Sequence, residues 1–421
     1  MALAAVSRQP RILWACRYCL LDTTSGASIS VREMLKGLFS RSYDVAIAGA
    51  TVFDHPTGNF RLKEIWNPLQ EKKGEAVFIT DADGLHHRLL ITNSTQESEM
   101  TFAEISRWHE LYCAGLDTFK PDLVFFYGGH PVDYLIGVEA RARGIPVAAY
   151  LVNGNYSGSR WCQDVDLIIT DSKATASLYQ QQESYRIIPV GKFINPSLVV
   201  AEHHTRQHLL LVNPTMEKGA GLVVQLALML ETERPDITFE VVESRGKWAD
   251  IVKMVSRTLG KPRDSLANVT VTPNTDDMRP LYGRARMLLA PSLWWESGVR
   301  VVVEAMMNGI PALITNRGGT PEMMQDGGII LNLSQDLHEA PYNRLPKEAV
   351  LRPVVDTLIR IYDDEAFYAD LVGKACRVRH THSIDHNIQR LIQAITPLLD
   401  RRAGDQDFQG LLKQVHKQGL G

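Results

Sequence analysis

The stretch PSLWWESGVRVVVEAMMNGIPALITNRGGTPE, from Pro291 to Glu322, decides how this chain is read. Leu288 to Pro291 closes a short apolar strand, Gly298 opens the backbone, and Val299 to Asn308 has helical spacing. Gly309-Ile310-Pro311 stops that helix, and Ala312 to Thr315 begins another strand. The order strand, loop, helix, strand belongs to an open α/β sheet, in which ligands bind outside the carboxyl ends of the strands. A helix N-terminus placed there offers unpaired N–H groups and the positive end of its dipole to a phosphate. From Val299 to Met307 every residue is apolar except Arg300 and Glu304, so the Glu304 charge requires a compensating partner, and a ligand is the expectation. Glu296 stands in the loop at the helix entrance, eight positions earlier.

These residues resemble the retaining, nucleotide-sugar-dependent glycosyltransferases of family 4. The resemblance rests on the E-x7-E pair Glu296 and Glu304, the EAM containing Glu304, Gly309-Ile310-Pro311, and Gly318-Gly319 followed by Pro321-Glu322. It implies an α/β chain of GT-B architecture: two Rossmann-like, doubly wound domains facing one another across a cleft, with a C-terminal helix crossing back. The donor is expected on the second domain and the acceptor on the first.

The rest of the chain fits two such domains. Arg11 to Ala15, Tyr43 to Ala48, Asp122 to Tyr127, Pro146 to Val152 and Leu167 to Thr170 read as strands, with helices at Ser28 to Phe39 and Phe102 to Leu116. Ala76 to Thr80 and Arg88 to Thr92 form a hairpin joined through Asp81-Ala82-Asp83-Gly84. Phe193 to Gln207 is polar and irregular, an interdomain connection. A second alternation then runs from Leu209 to Leu331. The expected divisions are residues 1–197 for the acceptor-side domain, 205–385 for the donor domain, and 386–421 for a terminal helix and loosely attached tail.

Composition narrows the function classes. The chain has 421 residues, 45% hydrophobic and 22% charged, enough for two or three well-filled cores. A net charge of −3 gives no global electrostatic case for nucleic acid. No window approaches the ~20 apolar residues of a membrane span, so a cytoplasmic protein is expected, with peripheral contact at the inner membrane face. Cys16, Cys19, Cys113, Cys162 and Cys376 are too scattered for a disulfide framework, and Cys16-x-x-Cys19 lacks further zinc ligands at the usual spacing. Asp81-x-Asp83 imitates a metal motif but sits in a turn, where aspartates bond the local backbone. No metal is expected.

The resemblance assigns roles to further positions. Lys218, between a strand and a helix, matches the lysine that neutralises the donor diphosphate, and Gly219 matches the glycine after it. Five residues earlier the family usually has an arginine; here Asn213 can hydrogen-bond a phosphate but brings no charge, and Arg300 is a candidate to supply it. Gly26, in a small-residue loop after the first strand, loosely matches a loop that approaches the donor phosphates, although the double glycine is missing. The family's sugar-contacting histidine is replaced by Asn153, while His130 follows the preceding strand. Catalytic roles therefore fall to Lys218, Glu296 and His130. Donor binding falls to Gly26, Asn153, Asn213, Gly298, Val299, Arg300 and Glu304, the last on the ribose. One tryptophan of Trp294-Trp295 is expected at the sugar.

Together these imply sugar transfer to an acceptor hydroxyl with retention, in glycan or glycoconjugate assembly, with a nucleotide-diphosphate sugar as co-substrate and no cofactor. The acceptor class stays open among glycan, lipid-linked, protein and small-molecule hydroxyls. The departures at Asn213 and Asn153 keep a catalytically impaired binding subunit as an alternative, and an epimerase or phosphorylase would use the same fold.

Overall fold

The computed structural model describes residues 8–129, 132–183 and 185–417, with side chains through Arg402. The chain forms two compact units, one made of residues 1–170, 176–193 and 385–421, the other of 171–175 and 194–384.

The first unit runs β1 (Arg11–Ala15), α1 (Gly26–Phe39), β2 (Asp44–Ala50), α2 (Trp66–Gln70), β3 (Ala76–Thr80), β4 (His86–Leu90), α3 (Phe102–Phe119), β5 (Leu123–Phe126), α4 (Tyr134–Ala142), β6 (Val147–Leu151), β7 (Leu167–Thr170), α5 (Lys173–Gln182) and β8 (Ile187–Pro189). Its eight strands lie in the order β3-β4-β2-β1-β5-β6-β7-β8. All pair in parallel except the β3–β4 hairpin. The hairpin's second strand starts two residues earlier than expected because Asp81 N bonds Leu85 O at 3.0 Å and closes the turn at once. Turn chemistry does account for Asp81-x-Asp83: Asp81 Oδ1 accepts from Asp83 N (2.9 Å) and Leu85 N (3.1 Å).

The second unit runs β9 (His208–Val212), α6 (Ala220–Glu233), β10 (Phe239–Val242), α7 (Trp248–Thr258), β11 (Val269–Thr272), α8 (Arg279–Arg284), β12 (Ala285–Ala290), α9 (Arg300–Met307), β13 (Ala312–Thr315), α10 (Thr320–Met324), β14 (Gly328–Leu331), α11 (Glu348–Asp363) and α12 (Glu365–Val378). Its six strands are all parallel, in the order β11-β10-β9-β12-β13-β14. Both faces are covered, which explains the unbroken apolar runs. Leu209 and Leu211 of β9 point into one core with α6, α7 and α11, whereas Leu210 points into the other with α9.

The C-terminal segment is helical, divided into α11, α12 and α13 (Ile384–Lys417). Asp364, in an extended conformation, ends α11 and caps α12 through Phe367 N. From Asp385 onward α13 belongs to the first unit: Asn387 Nδ2 donates to Lys192 O at 2.7 Å, and Ile388 fills the space beside Gly37. The helix continues through Lys417, because extending a helix already formed is easy. Among the described residues, no helix is long and apolar enough to cross a membrane.

Candidate functional site

In the second unit β9 and β12 are neighbours, yet the chain leaves them toward opposite edges of the sheet, β9 to β10 and β12 to β13. Such a switch point leaves a crevice at the strands' carboxyl ends. Lys218 follows β9 and Glu296 follows β12, and the Lys218 ammonium donates directly to the Glu296 carboxylate. Ser292 Oγ donates to the same oxygen at 3.1 Å, and Lys218 Nζ lies 5.2 Å from the Trp294 ring centre. Glu296 is only 8% exposed. Burial pushes its carboxyl up, but the Lys218 charge and hydrogen bond outweigh this and hold it below the usual range, so it is ionised at neutral pH. Trp295 lies against Arg317 instead, and both tryptophans are half-buried.

Several close approaches fix the two loops. Glu217 O accepts from Leu293 N (2.9 Å), which ties the lysine loop to the glutamate loop. Gly318 has φ +62°, and a Cβ there would sit 2.2 Å from Glu296 O. A Cβ on Gly319 would meet Ser297 O at 2.0 Å, and Gly319 N donates to Glu296 O at 2.7 Å. The glycine pair thus seats the Glu296 backbone. Gly318→Ala is expected to destabilise the second unit by at least ~1 kcal/mol and displace Glu296; a denaturation midpoint equal to that of the wild type would contradict this seating.

Helix α9 begins beyond Gly298 and Val299 with no side-chain cap. Its first N–H groups have no intrahelical acceptor, the arrangement suited to an anion. A Cβ on Gly298 would lie 2.9 Å from Asp171 Cβ, so the Asp171–Thr175 segment approaches the backbone closely there. Glu304 is buried, and its compensation comes from the chain itself: Arg300 Nε reaches Oε1 at 2.5 Å and the Tyr282 hydroxyl donates to Oε2. Burial and the Glu304 charge push the Tyr282 hydroxyl far up, so it remains a donor. Sequence reading missed Tyr282 because it comes from α8, with no periodicity linking it to α9. It also missed Ser292 and the Asp171–Thr175 segment, where Ala174 N donates to Glu322 of the Pro321-Glu322 pair at 3.1 Å.

The remaining expected residues are occupied differently. Asn213 is left-handed at φ +60°, and its Oδ1 accepts from Arg245 N (3.0 Å) and Gly246 N (3.4 Å). Asparagine tolerates that backbone better than arginine would, which accounts physically for the residue at this position. In the first unit, Gly26 is the first residue of α1, two residues before the expected start; it is exposed, with open space where a Cβ would be. Asn153, after β6, bonds Asn155 N through Oδ1 at 2.9 Å, and its carbonyl accepts from Tyr179. His130 lies outside the described residues.

Comparison with known proteins adds three findings. Structurally, the chain is similar to a glycosyltransferase from Rickettsia africae, at 16% identity and TM-score 0.64, covering 93% of this chain and 99% of that one. It is similar also to the pneumococcal O-GlcNAc transferase GtfA in complex with UDP and GlcNAc, at 10% identity and TM-score 0.66 over 93% and 99%. The fold is GT-B. Within this GT-B chain, residues 211–341 match the family model described as Glycosyl transferases group 1, a segment that contains Asn213, Lys218, Glu296 and α9. Over 116 residues the sequence is 29% identical to spore coat protein SA of Bacillus subtilis (strain 168), a match spanning 30% of that protein and 26% of this chain.

Proposed function

We propose that this GT-B protein is a retaining glycosyltransferase that moves a sugar from a nucleoside-diphosphate sugar to an acceptor hydroxyl in glycan or glycoconjugate assembly. The observation that carries the reading is the Lys218–Glu296 pair across the β9/β12 switch point, beside the uncapped start of α9. The matching group 1 segment and the fold support it. The donor diphosphate lies against the N–H groups following Gly298, with Lys218 neutralising the charge that grows as the leaving group departs. Glu296 is released from Lys218 to accept hydroxyls of the transferred sugar. Glu304 uses its remaining acceptor capacity on the ribose, since a carboxylate has about four lone-pair sites and Tyr282 and Arg300 take two. The bond from the anomeric carbon to phosphate breaks, the bond to the acceptor oxygen forms on the same face, and the acceptor proton passes to the departing phosphate. No cofactor is required. The acceptor is assigned to the first unit.

One observation favours a second reading, a binding subunit with weak or no catalysis. Asn213 Oδ1 is engaged with backbone N–H groups and Arg300 with Glu304, so neither stands ready as an unengaged phosphate ligand. Thermal denaturation with UDP, GDP, ADP and their sugars tests what both readings share. The cognate nucleotide is expected to stabilise the protein by about 2.7 kcal/mol at a hundred times its Kd. If none raises the Tm, both readings fail.

A further inference from the structure

Helices α3 and α4 of the first unit bring together three side chains that the transfer chemistry does not use. His109 and Cys113 lie one turn apart on α3, and Glu139 lies on α4. His109 Nε2 is 3.8 Å from Cys113 Sγ and 3.9 Å from Glu139 Oε1, and all three ligand atoms fall within 4.8 Å of one another. In a tetrahedral site with metal–ligand bonds of about 2.0–2.3 Å, neighbouring ligand atoms stand roughly 3.3–3.6 Å apart. Closing the set therefore takes only small shifts of the side-chain ends.

The surroundings are those of a supported ligand set. Arg143 Nη1 holds Glu139 Oε2 at 2.7 Å, which leaves Oε1 turned toward His109. Arg143 is itself anchored by Asp117 through bonds of 2.7 and 3.2 Å. A carboxylate ligand oriented by such a partner is the usual outer-shell arrangement of a metal site. Charge also balances: a Cys113 thiolate, Glu139 and Asp117 against Arg143 and a divalent ion sum to zero. All three candidate ligands are half-buried, so an ion can reach them from solvent.

We propose that His109, Cys113 and Glu139 bind one divalent ion of the zinc class, with water as the fourth ligand, joining α3 to α4. Sulfur, imidazole and carboxylate together favour zinc or cobalt over magnesium or calcium. On binding, the Cys113 thiol gives up its proton to solvent and no other bond changes. Sequence spacing alone hides the set, because only His109 and Cys113 are local and Glu139 follows on the next helix, beyond β5.

The test uses the full chain without a polyhistidine tag. Added Co²⁺ is expected to give a thiolate-to-cobalt absorption that saturates at one equivalent and is displaced by Zn²⁺. Cys113→Ser and His109→Ala should abolish it, and Glu139→Gln should weaken it. Without any substitution, Zn²⁺ should slow alkylation of Cys113, followed by peptide mass spectrometry, by about tenfold or more. Absence of the absorption, its persistence in Cys113→Ser, or equal alkylation rates with and without Zn²⁺ would each overturn the proposal.

Discussion

Lys218→Met should lower the sugar-transfer rate by about 10²–10³-fold, the usual loss when one preorganised charge is removed from a site where charge develops. It should also destabilise the second unit by about 3 kcal/mol, because Glu296 then remains buried without its cation. The two effects can be separated. In Lys218→Met/Glu296→Gln the uncompensated charge is gone, so most of the stability should return while the activity does not. Denaturant midpoints and initial rates on the three proteins check this. A double variant as unstable as the single one would show that Lys218 and Glu296 are not coupled as the geometry indicates, and full activity in Lys218→Met would remove it from the mechanism.

Asp81→Asn is expected to cost about 3–5 kcal/mol in the first unit, the range for breaking a buried ion pair from one side. Asp81 Oδ2 accepts from Arg32 Nη2 at 2.8 Å and stands 2.9 Å from His87 Nε2, and Arg32 and His87 are themselves buried. An asparagine would turn an N–H group, or at best an uncharged oxygen, toward the guanidinium. Burial pushes the Asp81 carboxyl up, but His87 and Arg32 outweigh it and hold it far below the usual range. A depressed folded-state value makes the contribution complete above the unfolded carboxyl value of about 3.9 and lost as pH falls through the folded value. Wild type and variant should therefore differ most at neutral pH and converge in acid. Hydrogen exchange across the β3–β4 hairpin reads the effect locally; equal protection at neutral pH would contradict it.

The parallel strands were legible because burial on both faces writes them as short apolar runs, and α9 because its apolar spacing ends at Gly309, which adopts φ +61°. Lys218 and Glu296 were legible as loop residues after strands, and the switch point brings them together. Less visible were partners supplied from elsewhere. Tyr282 reaches Glu304 from α8, and Arg32 reaches Asp81 from α1, neither through any local period. Glu304 in an apolar helix pointed to a ligand, whereas Arg300 and Tyr282 already compensate it. Asn213 was legible as a departure from a resembled pattern, but its reason, a left-handed backbone anchoring Arg245 and Gly246, lies in a dihedral angle that composition does not reveal.

The central claim is that the crevice around Lys218 and Glu296 cleaves a nucleoside-diphosphate sugar. Incubating the wild-type chain with a panel of such sugars and candidate acceptor hydroxyls, and measuring released nucleoside diphosphate together with the anomeric configuration of the product, tests it most directly. The expected result is release from at least one donor, with the donor's configuration retained and the release abolished in Lys218→Met/Glu296→Gln. A donor that binds yet is never cleaved, or release undiminished in the double variant, would contradict it.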